Sequence, residues 1–582
     1  MKIRSFGWVQ NPSDFNKLKQ TVEIFDSNSK QYQLLKKELV KQKLYHFKDI
    51  QESLQAKLNN NIEEFSYIEL VGKNIDKDGK VPNSRKNSLP NALIQISLDS
   101  QSAATKNKHF TDEWSSDGFL RWAVSLNFVE QNRQTDTFKI TTLGKQFIET
   151  KNELEMNNVL SQAFLSYPPA TRILEILNNK SKVSKFFLGN RLGFKEEAGF
   201  TSYSEELMLD WIKESKDKEE EAKIRTDVEG TADKYARMIC GWLKKVGFIT
   251  QESIQYDSSV EKDRKITGFS LYSITAKGIH ALKQSQGNSS NGKHQKFIMW
   301  EFLAVKGKGK DYIRTRRSYI LKFLEKSSSF NSLITHLKHK GFDESEDIIK
   351  LDIEGLNNIG IRIEFNGNNI KLLDKLNDFT IPDINLKLRT EEKERLELKE
   401  YFISNTDIPS KYITLLDLAY DGNANRDFEI VTAELFKDVF QLKTKHLGGT
   451  RKPDILIWTD KFGVIADTKA YSKGYKKNIS EADKMVRYVN ENTNRNKSDN
   501  SNEWWNSFET KIPANAYYFL WISSKFIGKF NEQLTETSSR TGRNGAAIDV
   551  YQLLRGADLV QQSKFNVHDL PSLMQNKEIH FI

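Results

Sequence analysis

The sequence contains few cysteines and prolines and no long hydrophobic run. Among 582 residues there are one cysteine, Cys240, and ten prolines. A single cysteine excludes a framework of intrachain disulfides and fits a reducing cytoplasm. Because Cys240 lies in an apolar-patterned run, it is predicted to be a small buried residue. No segment approaches the roughly 18 consecutive apolar residues of a membrane span, and residues 1–8 lack the apolar centre of a signal peptide, so no membrane association is expected.

Positive charge is concentrated in the first two-thirds of the chain. The formal net charge is +10. Residues 383–582 hold 29 Lys and Arg against 28 Asp and Glu, which leaves +9 on residues 1–382. A basic region of this kind is typical of proteins that bind a polyanion, most often nucleic acid. The alternative is that this mild basicity serves only solubility.

The basic region contains a weak internal repeat. In residues 119–144 and again in 241–278, an amphipathic helix ends at Asn or Gly before an aromatic residue, and two short strands follow. The second strand of each copy reads Ile-Thr-x-x-Gly and leads into another helix. A degraded third copy covers 356–373. Helix, turn and hairpin form the pattern of a winged helix. Three generic α+β modules with a structural role would give a similar sequence pattern.

A boundary is predicted between residues 378 and 389, where Pro382 breaks regular structure before a solvent-facing helix at 391–400. The predicted fold class is α+β multidomain, with N-terminal winged-helix (helix-turn-helix-like) subdomains and a C-terminal α/β domain. The predicted segments are 1–155 and 156–292 as winged-helix-like subdomains for recognition, 293–380 as a mainly structural or latch-like third copy, 381–392 as linker, and 393–582 as the C-terminal domain.

The C-terminal domain carries the residues that predict a catalytic site. Its pattern predicts a helix at 428–441, a strand at 453–458 and a hairpin partner at 462–470. Asp467 and Lys469 are two apart on a strand and leave on the same face, and Asp454 begins the neighbouring strand. Two carboxylates and an ammonium that converge are costly unless a cation joins them. Mg²⁺ prefers such oxygens together with water and phosphate, so the pattern predicts a Mg²⁺-dependent phosphodiester-cleaving site; a surface salt bridge on a strand is the alternative.

Pro-Asp, twelve residues and Asp-x-Lys is similar to the signature of the PD-(D/E)xK nucleases. The surrounding segments resemble the FokI-type Type IIS restriction endonucleases along essentially the whole chain. In the C-terminal domain the similar segments are 445–454, 467–475, 481–489 and 502–505. Towards the N-terminus they are 6–12, 114–122, 166–170, 199–202, 233–239 and 312–317.

The resemblance implies roles for residues of the C-terminal domain. Asp454, Asp467 and Lys469 become the catalytic set, and Asp454, Asp467 and the backbone carbonyl of Thr468 the ligands of Mg²⁺, for which Mn²⁺ would substitute. Glu429 and Glu434 are possible accessory acids that could hold a water or a second metal, with a solvated helix face as the alternative. Asp483 and Arg487 become dimerisation residues, although an i, i+4 pair is usually intrahelical.

The resemblance also implies contacts to DNA in the basic region. The residues concerned are Gln10, Asn11, Arg85, Lys86, Trp114, Glu229 and Lys234, whose types suit base contacts; phosphate contact or packing is the alternative for each. Either Arg85 or Lys86 could match the family's base-reading arginine. The family's Asn-Asn-Trp-Glu run is replaced at 226–229, which puts the recognition sequence in doubt. Arg314, Arg316 and Arg317 are similar to phosphate-positioning or domain-latching residues.

The function implied is that of a Type IIS restriction endonuclease in a bacterial cytoplasm. Such an enzyme would bind a short asymmetric GGATG-like site in double-stranded DNA and break both strands at a fixed distance outside it, leaving 5′-phosphate and 3′-hydroxyl ends. Cutting would need a second copy of the chain, and the host would carry a cognate methyltransferase. Two alternatives are a winged-helix DNA binder with an inactive nuclease-like domain, and another PD-(D/E)xK task such as structure-specific, nicking or methylation-dependent cleavage.

Overall fold

A computed structural model describes residues 1–100, 108–287, 294–307, 309–448, 451–509 and 511–581, without the side chains of 226 and 227. The predicted boundary at 292, and residues 449–450 of the segment before Asp454, lie outside the described residues. We divide the chain into a first unit (1–152), a second (153–287), a third (294–378) and a fourth (390–581). Among the described residues, no helix combines the length and apolar character that crossing a membrane requires.

The first unit is a helical layer with a small antiparallel sheet in the order β1-β3-β2. Buried and exposed positions alternate along this sheet, so one of its faces packs against the short amphipathic helices. Its helices are α1 (Phe15–Glu23), α2 (Lys30–Leu34), α3 (Val40–Lys43), α4 (Lys48–Asn59), α5 (Tyr67–Val71), α6 (Leu93–Ser97), α7 (Glu113–Ser125) and α8 (Thr142–Ile148). Its strands are β1 (Phe65–Ser66), β2 (Val129–Asn132) and β3 (Thr137–Ile140).

The second unit repeats this plan, with a sheet in the order β4-β6-β5. Its helices are α9 (Glu153–Ser166), α10 (Pro168–Asn179), α11 (Lys185–Gly189), α12 (Glu205–Lys213), α13 (Lys218–Asp227), α14 (Thr231–Lys245) and α15 (Ala276–Ser285). Its strands are β4 (Val183–Ser184), β5 (Ile249–Asp257) and β6 (Lys265–Ile274). Helix α9 runs through residue 155, where the sequence pattern places a boundary.

The Ile-Thr-x-x-Gly repeat has the same geometry in both units. Thr141 and Thr275 cap α8 and α15 by accepting hydrogen bonds from the N–H groups of Gly144 and Gly278, each at 3.0 Å. A Cβ at either glycine would lie 2.1 Å from the carbonyl oxygen of the phenylalanine that precedes the hairpin. Glycine is therefore required because the helix start approaches the hairpin too closely for any side chain.

The two copies also pack against each other through equivalent residues. Trp122 in α7 and Trp242 in α14 each precede the helix-ending residue by the same spacing, and their rings stack with centroids 5.4 Å apart. One continuous apolar core extends from Phe6 to Phe379 and includes the buried Cys240, as predicted. The first three units therefore form one body.

The third unit has a helical layer and a two-stranded hairpin, with no helix after the hairpin among its described residues. Its elements are α16 (Lys310–Leu324), α17 (Phe330–His339), α18 (Glu346–Asn358), β7 (Gln295–Lys296), β8 (Ile363–Asn366), β9 (Asn369–Leu372) and β10 (Lys375–Leu376). Arg314, Arg316 and Arg317 are buried in α16. Arg317 binds Glu196 and Glu197 and so latches the third unit to the second, whereas Arg314 and Arg316 pair with acids of the third unit itself. None of the three presents its charge on the surface for phosphate.

The fourth unit is an α/β domain, and the α+β multidomain prediction is confirmed. Its helices are α19 (Thr390–Asn405), α20 (Ser410–Ile413), α21 (Leu415–Leu418), α22 (Asn425–Asp438), α23 (Ile479–Asn494), α24 (Phe530–Thr541), α25 (Val550–Gln561) and α26 (Leu570–Leu573). Its strands are β11 (Lys443–His446), β12 (Ile455–Trp458), β13 (Gly463–Lys469), β14 (Tyr475–Lys476), β15 (Tyr517–Ser523), β16 (Phe526–Ile527), β17 (Gly545–Asp549) and β18 (Lys577–Glu578).

The main sheet of the fourth unit is mixed, in the order β11-β12-β13-β15-β17-β18. The first three strands are antiparallel, and the strands from β13 onward are parallel. Separate apolar clusters cover its two faces. The predicted hairpin is present as β12 and β13, and the helix predicted at 428–441 runs from 425 to 438.

Candidate active site

The β12–β13 hairpin brings Asp454, Asp467 and Lys469 together. Ile455 pairs with Ala466, so Asp454 just before β12 lies beside the segment that carries Asp467. The Asp454 carboxylate accepts hydrogen bonds from the Thr468 N–H at 2.8 Å and its hydroxyl at 3.1 Å. Lys469 Nζ lies 2.5 Å from Asp467 Oδ2. The sequence-predicted set therefore converges at one place, while its chemical roles stay predictions.

The electrostatics of this site favour an added cation. Burial, followed by the charges of Asp467 and Glu429, raises the pKa of Asp454 well above its ordinary value. Burial opposes the charge on Lys469, but Asp467 and Asp454 outweigh it and raise the pKa of its ammonium. Carboxylates this crowded are relieved by a nearby divalent ion.

The donor set also fits Mg²⁺. In the part of the chain that the structure describes, no group of three or more His, Cys, Asp or Glu side chains could hold a metal. Mg²⁺ does not need one, because it is commonly held by one or two carboxylates and completes its octahedron with water and phosphate oxygens. Asp454 and Asp467 offer two carboxylates at one point, next to the backbone of Thr468.

Of the two accessory acids predicted on α22, only Glu429 faces this site. Its charge acts on Asp454, and its Oε2 lies 2.9 Å from Nε2 of the buried His446 on β11. Glu434 is buried elsewhere, where it accepts a hydrogen bond from the Ser204 N–H at 2.8 Å and lies 3.5 Å from Lys411. Its position corresponds to neither the accessory role nor the solvated face that the sequence suggested, because it faces the second unit.

Two residues near the site had no predicted role. His446 lies within the segment 445–454, but its partner Glu429 is 17 residues away, and only the packing of α22 on β11 joins them. Glu481 on α23 lies 3.0 Å from Lys469 Nζ. No spacing in the sequence could indicate that contact, because it depends on how α23 returns to the end of β13.

The residues predicted for dimerisation lie on α23 but do not pair with each other. Asp483 has a half-exposed side chain and binds Arg540 of α24 at 2.7 Å. Arg487 lies 3.6 Å from Glu491 and over the ring of Tyr488. The alternative of an i, i+4 pair between Asp483 and Arg487 is therefore not present, and Arg487 forms such a pair with Glu491 instead.

Several residues predicted to contact DNA line one cleft of about 650 Å³ between the first three units. Gln10, Asn11 and Trp114 lie in its wall. The Trp114 side chain is 52% exposed and Arg85 lies over its ring at 5.7 Å, so it is not a core residue. Lys86 is exposed beside Arg85. This arrangement leaves amide, indole and guanidinium groups accessible to a ligand.

The other two predicted contacts differ in accessibility. Glu229 is fully buried, with its carboxylate between Lys185 and Arg237. In this structure it joins α11 to α14 and has no exposed oxygen for a base. Lys234, on α14, is half-buried and its charge acts on Asp427 of the fourth unit.

The candidate active site lies against the second unit. Tyr203 donates a hydrogen bond to Asp427, Lys445 binds Glu214 at 2.7 Å, and the ring of Trp211 packs edge-on against His446 at 4.9 Å. Ile430 of α22 is part of an apolar cluster of the second unit. Helix α22 and strand β11 are thus shared between the site and this contact.

Comparisons with known proteins agree with the division into units. The family models that match are described as "FokI, recognition domain, subdomain 1" over residues 4–150, "FokI, recognition domain, subdomain 2" over 156–290, "FokI, D3 domain" over 303–368 and "FokI, cleavage domain" over 390–580.

Full-length relatives extend this similarity. The chain is 37% identical to the Type II restriction enzyme FokI of Planomicrobium okeanokoites over 100% of both chains. It is 32% identical to the Type II restriction enzyme StsI of Streptococcus sanguinis over 81% of this chain and 80% of that protein. Solved structures of restriction endonuclease FokI match with a TM-score of 0.89, and of FokI bound to DNA with 0.90, each over 100% of both chains and at 36% and 37% identity.

Proposed function

Because this chain belongs to the FokI family of Type II restriction endonucleases, which bind DNA and cleave it site-specifically, we propose that it is a Type IIS enzyme. It binds a short asymmetric GGATG-like site and breaks both strands of the duplex at a fixed distance outside that site. The separation of a basic recognition body from a near-neutral cleavage unit supports this proposal. The convergence of Asp454, Asp467 and Lys469 is the observation that carries it.

Membership of this family implies a divalent metal cofactor, and we propose Mg²⁺, for which Mn²⁺ would substitute. Held by Asp454, Asp467 and the backbone carbonyl of Thr468, it would polarise the phosphodiester and lower the pKa of a bound water. The Thr468 N–H fixes the Asp454 carboxylate towards the site. The Lys469 ammonium orients the attacking water and offsets charge on phosphorus. Water adds to phosphorus, the bond to O3′ breaks, and a 5′-phosphate and a 3′-hydroxyl result.

A double-strand break requires two such sites, since one set of residues cleaves one strand. We propose that a second copy of the chain docks through α23 during cutting. A two-fold axis would let Asp483 of each copy exchange its Arg540 partner for Arg487 of the other. The half-exposed Asp483–Arg540 pair supports this role, because exchange of a surface ion pair costs little free energy.

The proposal includes the setting in which the enzyme works. An endonuclease with a short recognition site would also cut the DNA of its own cell. A cognate methyltransferase that modifies the same site, in a bacterial cytoplasm, would prevent this. Base methylation in the major groove would act on contacts at the cleft that contains Gln10, Asn11 and Trp114.

The test is incubation of the protein with plasmid DNA and Mg²⁺, followed by sequencing of both cut ends. We expect ends at one fixed offset from a single asymmetric site. Asp467→Ala should abolish cutting and retain site-specific binding, because it removes a proposed metal ligand that does not line the cleft. Random ends, nicks in one strand only, or normal cutting by Asp467→Ala would contradict the proposal.

The dimer is tested by varying enzyme concentration. Asp483→Ala should lower double-strand cleavage most at low concentration, because it weakens association and not chemistry. Asp460→Ala, in the exposed turn of the hairpin, is the matched control and should behave as wild type. Equal loss of rate at all concentrations would argue against docking through α23.

A further inference from the structure

A second carboxylate binds the ammonium of Lys469. Lys469 Nζ lies 2.5 Å from Asp467 Oδ2 and 3.0 Å from Glu481 Oε2. Glu481 is in the first turn of α23, where the Asn478 side chain caps the helix by accepting from the Glu481 N–H. Both side chains of the Lys469–Glu481 pair are mostly buried, at 16% and 15% exposure. The pair is therefore less screened by solvent than a surface ion pair.

Glu481 can hold two cations at once without sharing an oxygen. Its Oε1 lies 2.5 Å from Lys484 Nζ, while its Oε2 faces Lys469. Lys484 is one turn further along the same helix, so this contact fixes the Glu481 rotamer. The carboxylate that Lys469 contacts is thus itself oriented by the helix.

The two anchors of Lys469 differ in what else they must do. Under the proposed function, Asp467 becomes a metal ligand, and its oxygens then face a divalent ion and no longer serve the ammonium alone. A lysine side chain has four rotatable bonds and loses considerable rotamer entropy when fixed. An anchor outside the metal site would keep the ammonium at the attacking water.

We propose that Glu481 is the positioning residue that holds Lys469 for DNA cleavage. This inference rests on the proposed roles of Asp467 and Lys469. Glu481 acts through Lys469 and does not itself touch the phosphate. Asp483, two residues further on, binds Arg540 of α24. The same helix therefore contributes to the catalytic group and to the proposed dimer contact through different side chains, and the two contributions can be separated by mutation.

The experiment measures single-turnover cleavage by the full-length protein, in excess over a DNA duplex that contains the site. Glu481→Ala should lower this rate by roughly 10- to 100-fold, because a misplacement of about 1 Å has an effect of that order. Affinity for the duplex, measured without metal, should not change. Glu481→Gln should recover most of the rate, because its amide oxygen can occupy the place of Oε2 against the ammonium.

Two comparisons separate this role from a structural one and from dimerisation. Glu532→Ala removes an exposed, lysine-paired carboxylate on α24 and should cleave as wild type. The rate of Asp483→Ala should recover at high enzyme concentration, whereas that of Glu481→Ala should not. A metal-free measurement adds to this: an amine-acylating reagent, with modification read by mass spectrometry, should label Lys469 faster in Glu481→Ala than in wild type.

The outcomes distinguish this inference from the function on which it rests. If Asp467→Ala still cleaves, the proposed active site is wrong. If Asp467→Ala is inactive but Glu481→Ala cleaves at the wild-type single-turnover rate, only the positioning role is wrong. Equal loss in Glu481→Gln and Glu481→Ala, with unchanged labelling of Lys469, would also overturn it.

Discussion

Asp352 in the third unit is a buried carboxylate and Asp454 in the fourth a partly buried one, and their neighbours give them opposite properties. Burial raises the pKa of each carboxyl. At Asp352, Arg316 and Arg317 outweigh burial and lower the pKa below its ordinary value. At Asp454, the nearby carboxylates of Asp467 and Glu429 add to burial and raise it further.

This contrast in pKa distinguishes a carboxylate whose charge stabilises the fold, Asp352, from one whose charge is arranged for a ligand, Asp454. Asp352 accepts hydrogen bonds from Arg317 Nε at 2.6 Å and Arg316 Nε at 2.7 Å, so its charge is compensated within the chain. Asp454 accepts from Thr468 but lies beside other acids, and its charge is compensated fully only when a cation is added. A chain keeps such an unfavourable arrangement where function requires it.

Replacing Asp454 and Asp352 each by Asn should give the largest difference between the two clusters, in cleavage and in stability. Asp454→Asn should abolish cleavage, by at least about 10³-fold, since it removes a ligand of the metal. Its melting temperature should stay equal or rise, because one crowded charge is lost and the amide oxygen still accepts from Thr468. Cleavage assays and thermal unfolding of the metal-free protein measure the two effects.

Asp352→Asn is the matched variant. Its amide N–H would face guanidinium N–H groups, and two buried arginines would lose their shared partner. We expect a loss of about 3–5 kcal/mol in the free energy of unfolding, with cleavage retained by the molecules that remain folded. Similar melting temperatures for the two variants would remove the distinction between the clusters.

Sequence patterns predicted the site better than its surroundings. Asp454, Asp467 and Lys469 come together because strand periodicity and a short hairpin are local properties, and the Ile-Thr-x-x-Gly repeat predicted the helices α8 and α15 for the same reason. The bounds of α22 were displaced by three residues, since a helix end depends on capping and on packing with the next unit.

Long-range contacts could not be predicted in this way. Glu434 does not face the site, and Arg317 takes the latch alternative and not the phosphate-positioning one, because both residues face another unit. Glu481 gave no signal at all, because its contact with Lys469 depends on the path of the chain between β13 and α23. Residue type and spacing identify a side chain's chemistry, while its partner across an interface is set by the packing of whole elements.

An effect of intermediate size is expected from added Mg²⁺, which should bind at the Asp454 cluster and not at the Asp352 cluster. Addition of Mg²⁺ without DNA, at ten times its dissociation constant, should stabilise the cleavage unit by about 1.4 kcal/mol. Thermal unfolding should show this increment in wild type and in Asp352→Asn but not in Asp454→Asn. An equal increment in all three would mean that Mg²⁺ binds elsewhere.

The smallest expected effect concerns pH and the cluster around Arg317. Glu196 lies there with Arg317, Glu197 and Asp352, and its backbone carbonyl accepts from Lys399. Burial raises the pKa of Glu196 to about 7, with Arg317 opposing and Glu197 adding to the shift. The arginines of this cluster thus do not compensate the negative charge of all its carboxylates, although the cluster stabilises the fold.

The direction of the pH effect follows from proton binding. Between pH 4.5 and about 7 the folded protein holds a proton on Glu196 that the unfolded chain has released, so the contribution of this group to stability falls as pH rises through that window. Glu196→Gln stays neutral and should gain stability relative to wild type between pH 5 and 8, as measured by thermal unfolding. Glu354→Gln, which removes an exposed partner of Lys195, should show no such change. If wild type and Glu196→Gln had parallel pH profiles, Glu196 would be ionised throughout, and the Arg317 cluster would differ from the active site even more sharply than Asp352 alone indicates.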